Sequence, residues 1–416
     1  MMAESTRSES FWKNPEYLSW FTADTASAVG LSIKTLSLSL LGYSVSGSLV
    51  SAGWLGTLSL VAQQGLSIFG GTYIDRHDRK RLIAFNALAG FVLWGTIAIL
   101  GLVNHLSFTV LIVLSVIASA INGFLGGATD AMLRSIIGVR NYPKARSINE
   151  GRDSTVNMAG SPLSGFLYSL HPMLPFFTAS FMYAIAGIAA FGLKTGNQQI
   201  EKTQSDRKSY GQDFLSGWKW SLKRKTVVLS VSAASLASFG INGIQYAIQL
   251  DLTGKRVNST YIGLVGAGIC LGMIAGSLIA NKISNTAPVG KSVCLAFACI
   301  SLFMIPMVVS GNQLVIITCN SLIGIPFPII NSLLVGFIFA KAPNQMQGRI
   351  GVTLTAPSQM AAAFCSAIAG TLLTAIGFRA TVMVFSSTFF LGTLMILTSR
   401  SIRQIPSSAH WEEAVL

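Results

Sequence analysis

The chain has 416 residues, of which 51% are hydrophobic and only 11% charged. A soluble domain carries roughly a quarter charged residues, so an ordinary soluble enzyme or scaffold is excluded. The formal net charge of +14 does not point to nucleic acid, because the basic residues form short runs between apolar segments and no aromatic nucleic-acid motif accompanies them.

Segments apolar enough to cross a bilayer as helices of about 20 residues recur along the whole chain. Spans are predicted at 17–41, 51–69, 82–103, 108–132, 147–169, 174–193, 226–248, 261–280, 292–310, 314–340, 350–376 and 380–398. With the amino terminus inside, the inside segments hold 25 of the 29 Lys and Arg residues; the outside segments hold Lys255, Arg256 and Arg379, and Lys34 lies within the first span. Positive charge is retained on the cytoplasmic side, so a multi-pass protein of a bacterial inner membrane with both termini cytoplasmic is expected. The polar stretch 194–225 separates a six-helix half, 1–193, from a second, 226–398, and 399–416 forms a cytoplasmic tail. The expected fold is all-α, with twelve transmembrane helices in two six-helix bundles.

In chain order, about sixteen polar residues precede the first span, including Glu4, Glu9 and Glu16, which is unlike a cleavable signal peptide. Inside that span stand two ionisable side chains, Asp24 and Lys34. A charge at the bilayer centre costs at least ~2.5 kcal/mol, so each needs a reason. They lie roughly 15 Å apart along the axis and face roughly 80° apart, which excludes a direct pair within one helix. Asp24 is a candidate for proton or substrate coupling, or for a hydrogen-bonded place near the interface beside Thr22 or Ser27. Lys34 can reach towards the outer interface on its long stem, or touch substrate.

Between spans 2 and 3 stands Gly71-Thr72-Tyr73-Ile74-Asp75-Arg76-His77-Asp78-Arg79-Lys80-Arg81. Gly71 would let two helices approach closely, and Asp75 suits the positive end of a helix dipole. Span 5 contains Gly160-Ser161-Pro162-Leu163-Ser164-Gly165, small residues and a proline that permit a bend and close packing. In the polar stretch, Tyr210, Phe214, Trp218 and Leu222 recur every fourth residue before a cluster of Lys219, Lys223, Arg224 and Lys225, which reads as an interfacial helix. The five cysteines, Cys270, Cys294, Cys299, Cys319 and Cys365, lack metal-ligand spacing, so no metal and no cofactor are expected. His77, His105, His171 and His410 fall in loops or tails, and no phosphate-binding loop is present; an enzyme is not expected. A weak internal repeat pairs Lys144-Ala145-Arg146 with Gln347-Gly348-Arg349, followed about twenty residues later by Gly160 to Gly165 and by Ala367-Ile368-Ala369-Gly370, as in duplicated transporter halves.

The segment Gly71 to Arg81 resembles the signature loop of the major facilitator superfamily, with Asp78 where that loop has its second glycine. The resemblance implies that Asp75 meets the start of helix 11, just after Arg349, and that Arg79 pairs with Asp130 at the end of helix 4. Gly71, Asp75, Arg76, Arg79, Lys80, Asp130 and Arg349 would then form a latch on the cytoplasmic gate. It further implies a central cavity lined by helices 1, 4, 7 and 10, making Asn122, Asn242, Gln245, Tyr246, Asn320 and Asn331 its candidates. Each amide could instead join two helices. Mostly apolar walls would suit a bulky amphiphilic substrate.

The span 5 segment, with Gly160, Pro162 and Gly165, is similar to the Gly-Pro-x-x-Gly-Gly segment of facilitator antiporters. Pro343 to Arg349, and Ala128 to Arg134, resemble the macrolide-efflux and enterobactin-exporter branch. The mid-membrane arginine that many drug/proton antiporters carry in helix 4 is absent from Ile117 to Gly123, so their proton mechanism does not carry over. Secondary active export of a small molecule against a proton is the expected function, and an ion-coupled nutrient importer on the same fold is the alternative. The expected partners are the lipid bilayer, a small-molecule substrate and a proton, with no nucleic acid, and the expected working unit is a monomer.

Overall fold

A computed structural model describes residues 11–193, 218–283, 286–310, 312–342, 347–407 and 410–411, and within these the side chains at 11, 72, 75, 134, 138–144, 313, 347–349 and 352 lie outside the description. All regular structure among the described residues is helical. The first half contains α1 (Pro15–Ser46), α2 (Leu49–Arg76), α3 (Arg79–Leu102), α4 (Phe108–Leu125), α5 (Gly127–Leu170) and α6 (Leu174–Phe191). The second contains α7 (Lys225–Gly254), α8 (Ser259–Ile283), α9 (Val289–Val309), α10 (Gln313–Ile323), α11 (Phe327–Ile330), a π-helical turn (Asn331–Val335), α12 (Gly336–Lys341), α13 (Gln347–Thr398) and α14 (Arg400–Arg403).

Local chemistry sets these limits. The Asn14 side chain accepts from the Glu16 amide at 2.9 Å and Pro15 occupies the first turn of α1, which ends at Gly47 in the left-handed region, φ 67°. Asp78 caps α3, its Oδ1 accepting from the Lys80 amide at 3.0 Å. That cap gives Asp78 a task of its own where the family loop has a glycine. Lys80 Nζ in turn donates to the last carbonyl of α6, that of Phe191, at 3.1 Å, a cation placed at the negative end of a helix.

Among the described residues, nine helical stretches are long and apolar enough to span a bilayer. Three further crossings bring the number to twelve. α2 has the length but carries Gln63 and Gln64 in mid-helix. α5 is 44 residues, roughly 66 Å if straight, so it holds the inner end of the fourth predicted span and all of the fifth. α13 is 52 residues with a break at Gly377, φ 77° and ψ 175°, a conformation open in practice to glycine alone; it separates the eleventh span from the twelfth. The tenth predicted span, 314–340, is one crossing but not one helix. A turn at 324–326 and the π-helical turn interrupt it, because Pro326 and Pro328 offer no amide hydrogen to the ladder.

The chain divides into two compact units, one of Met1–Gly47, Leu58–Gln199 and Asn258–Gly263, the other of Ser48–Thr57, Ile200–Val257 and Leu264–Leu416. In unit 1, α1 packs on α5 and α6, and α3 on α6 and α4. Its buried core includes Tyr17, Trp20, Ile83, Leu125, Met132 and Leu193, with the Trp20 indole donating to the Thr129 carbonyl at 2.8 Å. In unit 2, α7 lies along α13, and α9 along α10 and α13.

Lipid tails are as apolar as leucine, so small residues that admit a neighbouring backbone hold such bundles together. A Cβ on Gly70 would strike the Phe124 carbonyl, and one on Gly123 the Gln63 carbonyl, so α2 and α4 cross at these two glycines. No described atom lies within 4 Å of a Cβ placed on Gly71. The close approach expected there is therefore found one residue earlier, at Gly70, about 100° round the helix. Of the interfacial helix, residues up to 217 lie outside the described residues. Its last turn, 218–222, is helical; Trp220 is buried against Val227, Ile338, Ile350 and Leu354, while Leu222 is exposed.

Candidate functional site: a polar basin in unit 1

Asp24, Ser27, Ala28 and Leu31 fall at i, i+3, i+4 and i+7 on α1 and so share one face. That face borders a cavity of about 310 Å³ within unit 1, completed by Gln63, Gln64 and Ser67 of α2, Ile83 and Asn86 of α3, Asn122 of α4, and Thr129, Asp130, Arg152 and Asp153 of α5. Polar side chains dominate the lining, so the apolar walls expected from sequence do not describe this half of the protein.

The Asp24 carboxylate is held by Arg152, whose Nη2 donates to Asp24 Oδ2 at 2.6 Å. Asp24 is thus ion-paired rather than dependent on Thr22 or Ser27. The same guanidinium donates to Thr25 Oγ1 at 3.1 Å and to Asp153 Oδ1 at 2.8 and 3.1 Å. It also stands 5.4 Å over the Phe21 ring. Only 10% of the Arg152 side chain and 18% of that of Asp24 are exposed, so both charges depend on each other for solvation. Asp130, at the far wall, pairs with Arg146 at 2.6 Å, and Arg146 also reaches Glu150 at 3.3 Å. Among the residues that line the basin, three carboxylates (Asp24, Asp130, Asp153) stand against one guanidinium (Arg152), a formal sum of −2. Gln63 Nε2 donates to Asn122 Oδ1 at 3.2 Å, and both residues line the basin.

Lys34 lies elsewhere. Its side chain is only 5% exposed and its ammonium stands 4.3 Å over the Trp94 ring of α3. The expected reach to the outer interface is corrected: an aromatic face inside the bundle compensates the charge instead, an interaction worth about 2 kcal/mol or more once water is excluded.

Arg79 Nη1 donates to the Ala131 carbonyl at 2.8 Å, and the Asp130 carboxylate belongs to Arg146, so the expected pairing of Arg79 with Asp130 is replaced. Arg76 is exposed. The side chains of Asp75 and Arg349 lie outside the described residues. In α5, a Cβ on Gly160 would meet the Ser32 hydroxyl of α1, and one on Gly165 the Ser259 carbonyl at the start of α8. α5 stays helical through Pro162, and the buried Ser164 hydroxyl meets that of Ser37 at 2.7 Å.

The remaining amide candidates belong to unit 2. Gln245 and Asn320 hydrogen-bond each other reciprocally, joining α7 to α10. Asn242 Nδ2 donates to the Ser238 carbonyl one turn back, at 2.8 Å. Tyr246 is half-buried, and Asn331 is exposed at the first position of the π-helical turn.

The sequence pattern of the Major Facilitator Superfamily matches residues 21–356. The chain belongs to the Major Facilitator Superfamily. It is a multi-pass integral membrane protein with a transporter fold. Facilitator structures of similar fold include a bacterial homologue of the iron transporter ferroportin in its inward-facing state, at 14% identity and TM-score 0.67 over 92% of this chain and 98% of that one. The nucleoside transporter NupG is also similar, at 14% identity and TM-score 0.63 over 91% and 98%. At such identities the likeness is one of fold. No curated protein matches the sequence.

Several basin residues of this facilitator escape sequence reasoning. Arg152 is five residues past the start of a predicted span and reads as one more topology-setting charge. Gln63, Gln64 and Asn86 sit on helices that the resemblance does not assign to a cavity. Two adjacent amides in the middle of an otherwise apolar span were the available signal.

Proposed function

We propose that this protein is a secondary active transporter that exports a small amphiphilic molecule by alternating access, in exchange for a proton. The polar part of the substrate enters the unit 1 basin. The observation that carries this reading is the Asp24–Arg152 pair on the basin wall, with Asp153 as a second acceptor for the same guanidinium. A proton on Asp24 removes the charge that holds Arg152, and the guanidinium turns to Asp153. A substrate group that donates hydrogen bonds, or carries positive charge, takes Asp24 only when the carboxylate is bare. Proton and substrate then exclude each other at one group, which is the requirement for exchange. The excess negative charge of the lining favours a cationic or donor-rich head group.

The loop from Gly71 to Arg81, with Arg76 and Lys80, and Arg349 further on, supports a gate on the cytoplasmic side by resemblance to the family loop. An ion-coupled importer is the second reading, favoured by the amide-rich lining. Sensitivity and secreted-metabolite profiling in an efflux-deficient host identifies the substrate; everted vesicles with an imposed proton gradient then give the direction. Accumulation in everted vesicles, abolished by a protonophore, is expected. Accumulation in right-side-out vesicles alone supports import and overturns the exporter reading.

A further inference from the structure

Unit 2 holds a smaller cavity of about 180 Å³ whose wall includes Asp251, Leu252 and Lys255 of α7, Ile316 of α10, and Phe378 and Arg379 of α13. Lys255 and Arg379 are two of the three cations that the charge count places on the outer face. In a chain that keeps nearly all its basic residues on the other side, cations here oppose the topological rule rather than serve it. Their grouping around one cavity calls for a ligand.

Lys255 Nζ meets Asp251 Oδ2 at 2.6 Å and stands 5.6 Å over the Phe378 ring. Arg379 is exposed and has no carboxylate partner among the described residues. The backbone break at Gly377, φ 77°, immediately precedes Phe378 and Arg379 and sets them at the start of the last crossing. Lys255 and Arg379 against Asp251 leave one positive charge. Below them, Leu252 and Ile316 form a buried apolar floor. The combination is a guanidinium and an ammonium above a greasy base, at a helix end.

The geometry points to a site for a phosphodiester group, with Arg379 and Lys255 taking the phosphate oxygens and the apolar floor taking whatever hydrocarbon follows. A guanidinium matches phosphate through paired, charge-assisted hydrogen bonds, and the single negative charge of a diester cancels the remaining positive one. An anionic phospholipid of that leaflet carries this chemistry, and so does a soluble phosphate diester. This site is independent of the coupling reading given for unit 1.

The test uses the full chain purified in neutral detergent, with its thermal unfolding midpoint followed against phosphatidylglycerol, phosphatidylcholine of equal chain length, and glycerophosphoglycerol, the soluble diester. Phosphatidylglycerol is expected to raise the midpoint at lower concentration than phosphatidylcholine. Arg379→Gln should raise the concentration required by about tenfold, the value of one charge-assisted hydrogen bond, and Arg379→Lys by less. A shift by glycerophosphoglycerol alone, equally dependent on Arg379, assigns the site to a soluble diester. Lys255→Gln provides a second, independent variant. Responses to both phosphates that are the same in wild type, Arg379→Gln and Lys255→Gln overturn the proposal.

Discussion

Arg152 and Lys34 show two ways of keeping a cation inside a helix bundle. Arg152 is shared among Asp24, Thr25 and Asp153, and its planar fork suits several acceptors at once. Lys34 has an indole face. If that face compensates the ammonium, Trp94→Leu should cost more stability in the wild type than in a Lys34→Met background. The difference should be about 2 kcal/mol, read from unfolding midpoints in detergent as a double-mutant cycle. Equal losses in both backgrounds would remove the cation–π contact from the account. At this scale the sequence showed which side chains need an explanation, since a charge in an apolar span is visible at once. It did not show their partners. Arg152 lies 128 positions from Asp24, and only the packing of α1 on α5 brings them together.

Helix crossings rest on a few glycines with unequal tasks. Gly70 and Gly123 meet the facing backbone of α4 and α2, whereas nothing described crowds Gly71. Gly123→Ala should therefore destabilise the protein by about 1–3 kcal/mol, because the helices must part. Gly71→Ala should be neutral or slightly stabilising, since alanine is the better helix former by up to about 1 kcal/mol. Thermal unfolding of the two variants checks the order, and the reverse order would show that α2 and α4 do not cross as described. Twelve apolar spans could be read from hydrophobic runs, and Gly377 marks a boundary that those runs also predict. The interruption of the tenth span was less legible. Pro326 and Pro328 were visible, but a proline in a membrane helix can bend it or leave it straight, depending on what neighbouring groups satisfy the freed carbonyls.

For the whole molecule, the proposed cycle needs the inner gate and the basin to respond to each other. Asp75→Asn is expected to speed the reaction of a Gln64→Cys thiol in the basin with a water-soluble reagent, as a loosened gate admits it more often. Unchanged rates would remove Asp75 from gating. Family and fold could be read from one loop and twelve spans because both depend on local patterns. The basin could not, because it is assembled from five helices. The most direct test of proton–substrate exchange at Asp24 is the release of protons when substrate is added to purified, weakly buffered protein. Wild type should release protons on binding, whereas Asp24→Asn, which mimics the protonated acid, should bind substrate weakly and release none. Undiminished release from Asp24→Asn would contradict the account.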